Sequence, residues 1–521
     1  MKLDYLAIDG YKGLKKLEIN FQKQSSATAI DFLIGKNGSG KSSVLEAIGL
    51  IFTRIMQNET PGFAFELKYS MSDGTQIQVR PQTEAGKRGE NSSKLAVILQ
   101  KNGEERVLGR IPNEYLPDRI VSYCSGANNS MEEIFVTSPR EALISDLYDE
   151  TNRQEEADAE LVREIMNYYE RLDNNPRVLS LDAATSKVIL PVVFAVFPFP
   201  EQEPLSSIKK YSRFRRMLAD RLQMNMAPVA FSFCVQDDLL EQRADLPQIG
   251  ILRELLTERK QHKKACADYI SNGISTERVL PDGSPATISK AVFLYRTKGD
   301  IKDSFYHPGL QEFFSGNPFT LISVLLTAYR LGVISELHFV YQDGKKRGLY
   351  EMEALSDGEL MWIARMGLVL LAQKYCGENT LFLFDEPDVH FNDEWNRDFI
   401  GLLYQLSKDT HHEFIIATHS TLILTDALYE QLHLFDNTSA GRTKVSNIEI
   451  STFAAQRDEI SRQIFKTEAI GVHAEKTVQK MMRETKTEKI IANIEKLGPG
   501  YQRFRMYEQL YELLDKEKEL R

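Results

Sequence analysis

Hydrophobic and polar positions follow two periods along this chain, and the alternation between them outlines its organisation. At the start, Leu3, Tyr5 and Ala7 alternate with Asp4, Leu6 and Ile8, and LKKLEINF follows at 14–21. This pattern predicts two short strands joined by Asp9-Gly10. Residues 30–52 read as an apolar run, a glycine-rich loop and an amphipathic helix. Within 63–120, FAFELKYSM, DGTQIQVR and KLAVILQKNGEERVL are strand-like and separated by Gly and Asn turns. From 140 to 175 the chain becomes acidic and helical, ending at Asn174-Asn175-Pro176. Residues 177–310 mix strand-like runs such as VILPVVFAVF with basic-aromatic helical pieces, and 311–352 return to an apolar helix and strand. From 354 to 420 the order is helix, buried strand, helix, buried strand. The last hundred residues are helical and charged, broken at Gly498-Pro499-Gly500. There is no internal repeat, no low-complexity tract and no heptad run long enough for a coiled-coil arm.

Composition narrows the class. A chain of 521 residues with 42% hydrophobic and 26% charged side chains excludes wholesale disorder, and its length suggests two to four domains at about 150 residues each. No window approaches 18 uninterrupted apolar residues, and Asp4 and Asp9 fall where a signal peptide would need an apolar run, so no export is expected. A cytoplasmic protein without membrane contact is expected. Cys124, Cys234, Cys266 and Cys376 are scattered with no CxxC, so they are expected to be small buried side chains rather than disulfides or zinc ligands. A formal charge of −10 argues against a surface that coats nucleic acid throughout, and leaves room for a local basic groove.

The chemistry concentrates in four short segments. Gly35-Lys36-Asn37-Gly38-Ser39-Gly40-Lys41-Ser42, continued by Ser43, matches GxxxxGK[ST] between the apolar run Phe32-Leu33-Ile34 and a helix beginning near Ser42. Such a loop turns backbone N–H groups inward as an anion nest. Lys41 would reach the β- and γ-phosphates of ATP, and the Ser42 hydroxyl would ligate Mg²⁺. Leu381-Phe382-Leu383-Phe384 is a buried strand that delivers Asp385 and Glu386 to its end. Asp385 would hold Mg²⁺, and Glu386 would act as the general base on the attacking water. Leu355-Ser356-Asp357-Gly358-Glu359 opens a helix as an N-cap, with Ser356 and Gly358 suited to an anion. Phe414-Ile415-Ile416-Ala417 ends in Thr418-His419-Ser420, where His419 would sense or stabilise transferred charge. Each of the last three has a bland reading alone: an acidic turn, a helix cap, a structural histidine. Their order after Lys41 favours the functional one.

That order resembles the ATP-binding-cassette ATPases, over residues 1–60 and about 310–437. The resemblance implies two heads that sandwich two ATP molecules, with Ser356 and Gly358 of one subunit touching the γ-phosphate held at Lys41 of the other. A homodimer, or a higher oligomer built from it, follows as an expectation. More than half of the chain separates Lys41 from Ser356, which is similar to the RecF, SMC and overcoming-lysogenization-defect branch rather than to transporter heads. Asp385-Glu386-Pro387-Asp388-Val389-His390-Phe391 resembles the last of these groups. Asp357 departs from the usual glycine, and Gln100 is a candidate for the glutamine that links ATP to the inserted lobe. Leu116-Pro117-Asp118-Arg119-Ile120-Val121-Ser122-Tyr123-Cys124-Ser125-Gly126-Ala127-Asn128 looks like a stretch of restriction- and retron-associated ATPases, among them those of the Septu antiphage systems. The partner implied there is a separate HNH nuclease, or in retrons a reverse transcriptase with its RNA–DNA hybrid.

After Ser420 no two aspartates are spaced Asp-x-Asp, and His411-His412 has no cysteines near, so neither a Toprim nor an HNH nuclease is expected within the chain. Lys209-Lys210-Tyr211, Arg213-Phe214-Arg215-Arg216 and Arg259 to Lys264 are the candidate contacts to DNA or an RNA–DNA hybrid, against a solvated helix face as the plain alternative. Phe504, Tyr507, Leu510, Tyr511 and Leu514 share one helical stripe, suited to core packing or to docking a partner. The expected fold is α/β. An ATPase head combines a P-loop sheet with an antiparallel β lobe, and it carries a large inserted helical and α+β lobe and a helical tail. The expected boundaries are 1–135, 136–310, 311–440 and 441–521. The expected function is an ATPase that regulates a separate nuclease in antiphage defence. A RecF-like DNA-repair ATPase and an ATP-dependent scaffold without turnover remain as alternatives.

Overall fold

In chain order, β1 (Lys2–Asp9) and β2 (Leu17–Asn20) precede β3 (Ala29–Gly35), which leads through the glycine-rich loop into α1 (Lys41–Met56). β4 (Ala64–Ser70), β5 (Gln76–Pro81), β6 (Leu95–Lys101), β7 (Glu104–Leu108), β8 (Arg119–Cys124) and β9 (Val178–Leu181) follow, then α2 (Ser186–Val196). Next come β10 (Met226–Gln236), α3 (Pro247–Gln261), the short pair β11 (Arg278–Val279) and β12 (Pro285–Ala286), and β13 (Ile288–Leu294). α4 (Pro318–Arg330), β14 (Ile334–Asp343) and β15 (Leu349–Glu351) lead to α5 (Asp357–Tyr375). β16 (Thr380–Asp385), α6 (Asp393–Leu406), β17 (Glu413–Ala417), β18 (Leu432–Asn437) and β19 (Thr443–Asn447) complete the first part. α7 (Val472–Met481), α8 (Thr487–Lys496) and α9 (Tyr501–Glu519) form the second. This computed structural model describes residues 1–21, 28–82, 95–125, 177–196, 218, 226–261, 278–279, 285–286, 288–294, 318–343, 348–408, 410–437, 443–448, 451–467 and 470–519.

The mainly apolar runs form the centre of a seven-stranded sheet, ordered β19-β18-β3-β17-β16-β8-β9, which also buries a few polar side chains such as the Asp31–His433 pair, 3.0 Å apart. Every neighbouring pair is parallel except β18 with β19. A parallel strand covered on both faces has little polar side to present, hence the TLFLFD of β16 instead of alternation. In β16, Leu381 and Leu383 point to one face and Phe382 and Phe384 to the other. The first face shares one buried cluster with Leu45, Ile48 and Ile51 of α1 and with Leu6, Leu67 and Val79 of a six-stranded antiparallel sheet, β2-β1-β4-β5-β6-β7. α1 is thus the filling between the two sheets. On the opposite face Phe382 stacks on Phe414 at 4.5 Å. α5 is buried along nearly its whole length, as a helix apolar on all sides must be.

A third sheet, β13-β10-β14-β15, is antiparallel and belongs to the same unit, Met1–Ala454. The expected two-period reading of β1 is modified by a register shift between Leu3 and Tyr5, which lets Leu3, Leu6 and Ile8 all turn inward. Residues 443–447 form the edge strand β19, so the second unit, Ala455–Arg521, begins beyond the position expected for the tail. Within that unit Ile490, Ile494, Met506 and Leu510 make a small core, while Phe504, Tyr507 and Tyr511 are exposed. The inward stripe of α9 is therefore Met506, Leu510, Leu513 and Leu514, a phase that keeps Leu510 and Leu514 but turns three aromatics outward. Cys124 and Cys234 are buried as expected, and Cys376 is half-buried with its Sγ 3.0 Å from Arg119 Nε. No helix among the described residues is long and apolar enough to cross a membrane. The clusters at Lys209 to Arg216 and His262 to Lys264, the acidic run at 140–175, Cys266, and Gly126 to Asn128 lie outside the described residues.

Candidate nucleotide-binding site

Strand order assembles the site. β17 lies between β3 and β16, in parallel register Leu33 with Ala417 and Ala417 with Asp385. The loops leaving all three C-terminal ends therefore open on one edge of the sheet, where ligands sit in such folds. There a cavity of about 380 Å³ is lined by Asn37 to Ser43, Glu386 and His419, together with Lys12, Gly13, Leu14, Asn437 and Thr443.

The loop geometry depends on its glycines. Gly35, Gly38 and Gly40 have φ of 145°, 75° and 99°, a region that side chains disfavour. Gly40 is the N-cap of α1 and supplies no capping side chain. The first-turn N–H groups thus face the cavity without a built-in acceptor, as an anion-binding helix start requires. Lys41 is buried, and its Nζ donates to Gly35 O at 3.0 Å and Lys36 O at 3.1 Å. It also lies 2.9 Å from His419 Nε2. Burial lowers the Lys41 pKa, and the carboxylates of Glu386 and Asp385 pull it back up. Burial, then the Lys41 charge, lowers that of His419, while Asp388 pulls it back up.

Asp385 and Glu386 separate by environment. Asp385 is raised to about 6, mainly by burial, with Glu386 adding to the shift and a Ser42 hydrogen bond opposing it. Ser42 and Asp385 together offer a hydroxyl and a carboxylate, the hard oxygen donors that Mg²⁺ takes. Glu386 points into the cavity instead, its Oε1 3.7 Å from His419 Nε2. Its backbone is left-handed, φ 48°, and its N–H donates to Ala417 O at 2.8 Å. A non-glycine residue in that region costs on the order of 1 kcal/mol and persists where surrounding contacts impose it. Two of those contacts are visible. Thr418 Oγ1 donates to Asp388 Oδ1 at 2.7 Å, joining the turn after Glu386 to the loop before His419. The fully buried Arg365 of α5 donates to Pro387 O and Tyr123 Oη, with its guanidinium 4.0 Å from the Tyr123 ring centre and 4.7 Å from that of Phe391.

The structure brings Gly35 to Ser43, Asp385, Glu386 and His419 together. Ser356 and Gly358 are not among the residues lining the cavity. Ser356 caps α5 in a capping box, its Oγ accepting from Glu359 N at 3.3 Å while Glu359 Oε2 accepts from Ser356 N at 2.7 Å. Gly358 is required by packing inside the chain, because a Cβ there would lie 2.5 Å from His390 O and 3.0 Å from the Trp395 ring. Gln100 sits in β6 opposite Gln76 and Glu105, not at the cavity. Sequence reasoning missed Lys12, Gly13 and Leu14, which follow the Asp9-Gly10 turn, and the β18–β19 hairpin. Asn437 Nδ2 donates to Gly38 O at 3.3 Å and Thr443 Oγ1 to Ser39 O at 3.2 Å, so this hairpin buttresses the loop. Lys12 also pairs with the buried Glu46 of α1 at 2.8 Å. No short motif marks these positions.

A family model described as "AAA domain, putative AbiEii toxin, Type IV TA system" matches residues 32–425, a span that includes the glycine-rich loop, Ser356, Asp385, Glu386 and His419. No curated protein matches the chain. Among solved structures, the SMC head domain from Thermotoga maritima is similar at 14% identity, covering 86% of this chain and 100% of that one, with a TM-score of 0.33. The Smc head domain from Pyrococcus furiosus, with an extended coiled coil and bound to the C-terminal domain of ScpA, is similar at 15% identity over 86% of this chain and 96% of that one, with a TM-score of 0.32.

Proposed function

The chain belongs to this AAA-domain family, and from that premise we propose that it is a Mg²⁺-dependent ATPase whose ATP state, through a head-to-head homodimer, governs a separate effector nuclease in antiphage defence. The observation that carries the ATPase reading is the convergence of Lys41, His419 and Glu386 at one mouth, with contacts of 2.9 and 3.7 Å. In the nucleotide complex Lys41 would exchange the imidazole for phosphate oxygens, and the first-turn N–H groups of α1 would hold the β-phosphate. Ser42 and Asp385 would hold Mg²⁺, which when bound neutralises phosphate charge. Glu386 accepts a proton from the attacking water, and neutral His419 donates or accepts a hydrogen bond at the transferring group.

The exposed Ser356 at the start of α5, outside the cavity, supports the dimer, in which a second copy would present it to the γ-phosphate. The defence reading is supported by the family description, which names a toxin of a type IV toxin–antitoxin system, and by the Leu116 to Asn128 stretch. The test is Glu386→Gln beside Lys41→Ala. Glu386→Gln should lower turnover by about 10²-fold or more, retain ATP, and shift to a dimer in light scattering. Lys41→Ala should bind no nucleotide. Full turnover in Glu386→Gln would overturn the base assignment. Purification from the native locus should recover a nuclease subunit by mass spectrometry, and the chain recovered alone would overturn the effector reading.

A further inference from the structure

A second group of chemistry-bearing side chains lies away from the nucleotide cavity, on the outward face of the third sheet. β14 turns Leu337, Phe339 and Tyr341 inward and His338 and Val340 outward. β15 pairs with it as Val340 to Glu351 and Tyr341 to Tyr350. That register puts Glu351 on the same face as His338, one step diagonal to it, and carried on by two residues it brings Glu353 opposite His338. Glu353 lies in the single turn Met352–Ala354 that links β15 to Leu355 and Ser356. One donor atom from each of His338, Glu351 and Glu353 falls within 4.8 Å of the others. His338 Nδ1 lies 3.7 Å from Glu351 Oε2. An independent observation points the same way: His338 Nδ1 is shielded from solvent and makes no hydrogen bond among the described residues.

We propose that His338, Glu351 and Glu353 bind a divalent first-row transition metal, zinc being the best fit. One imidazole nitrogen with two carboxylates suits zinc, with water as the fourth ligand, whereas Mg²⁺ and Ca²⁺ prefer oxygen donors alone. Zinc–ligand distances of about 2.0–2.2 Å need the three donors somewhat closer than 4.8 Å. Glu351 and Glu353 are exposed, so their carboxylates would have to close that gap by changing rotamers. The metal would staple β14 to the turn from which α5 starts, three residues before Ser356.

The test uses the full chain, stripped with a chelator and then desalted after incubation with Zn²⁺. Elemental analysis should find one zinc per chain in wild type and none in His338→Ala. Glu353→Gln, a change at an exposed position, should weaken zinc binding at least tenfold by calorimetry. Co²⁺ in place of Zn²⁺ should give visible d–d bands that are lost in His338→Ala and kept in Asp385→Asn, which separates this site from the nucleotide cavity. Zinc retention unchanged in both His338→Ala and Glu353→Gln, or no zinc retained by wild type, would overturn the proposal. Equal affinity for Mg²⁺ would overturn the assignment to a first-row transition metal.

Discussion

Asp385 is held at a cost that Mg²⁺ should relieve, and Asp385→Asn measures it. Burial raises its pKa from an ordinary 3.8 to about 6. At about 1.36 kcal/mol per pH unit, ionised Asp385 destabilises the nucleotide-free fold by about 3 kcal/mol at neutral pH. The folded pKa lies above the unfolded one, so the penalty is absent below about pH 4, grows between about 4 and 6, and is constant above that. Asparagine keeps an acceptor for Ser42 and loses the charge. Unfolding entropy of about 2.1 cal/mol/K per residue makes each degree worth about 1 kcal/mol for a unit as long as Met1–Ala454. In calorimetry with a chelator at pH 8, Asp385→Asn should therefore melt about 3 °C above wild type, and the gap should close at pH 4. With Mg²⁺ and ATP the order should reverse, because only the carboxylate gains a cation. A variant that melts no higher than wild type at pH 8 without metal would refute the burial argument. A gain that persists unchanged at pH 4 would refute it equally.

Two further substitutions test the scaffold behind the site. Gly358→Ala should destabilise by about 1–3 kcal/mol, since its Cβ meets the His390 carbonyl at 2.5 Å. Gly401→Ala on α6, where a Cβ meets nothing within 4 Å, should be neutral or stabilising. Denaturant midpoints for the pair check this, and equal effects would show that close approach is not the cause. Arg365→Met should leave the Pro387 carbonyl without its buried donor, at about 1–3 kcal/mol. Because Pro387 follows Glu386, turnover should fall with little change in KM for ATP. Steady-state kinetics decide it, and a rise in KM alone would assign Arg365 to packing only.

What could be read from the chain was local. GxxxxGK[ST] declares its function because its glycines and Lys41 act within a single turn, and FLF-type runs declare buried parallel strands because both faces are covered. Ser356 with Glu359 likewise announces a helix start three residues apart. Other features lay beyond that reach. The alternation of β1 broke at a bulge, and α9 turned Met506 inward and Phe504 outward, because neighbouring elements choose which of two adjacent stripes is covered. The order β3-β17-β16, which sets His419 between Lys41 and Glu386, joins segments hundreds of residues apart. So does the buttress from Asn437 and Thr443, while the His390 carbonyl that makes Gly358 obligatory comes from the next loop over, 32 residues on, where no periodicity announces it. Hydrophobic periodicity records whether a residue is covered, not by what. The sequence by itself determined the nucleotide loop, the carboxylate pair and the α/β class. Tertiary structure alone decided how they meet, because that depends on packing partners chosen across the whole chain.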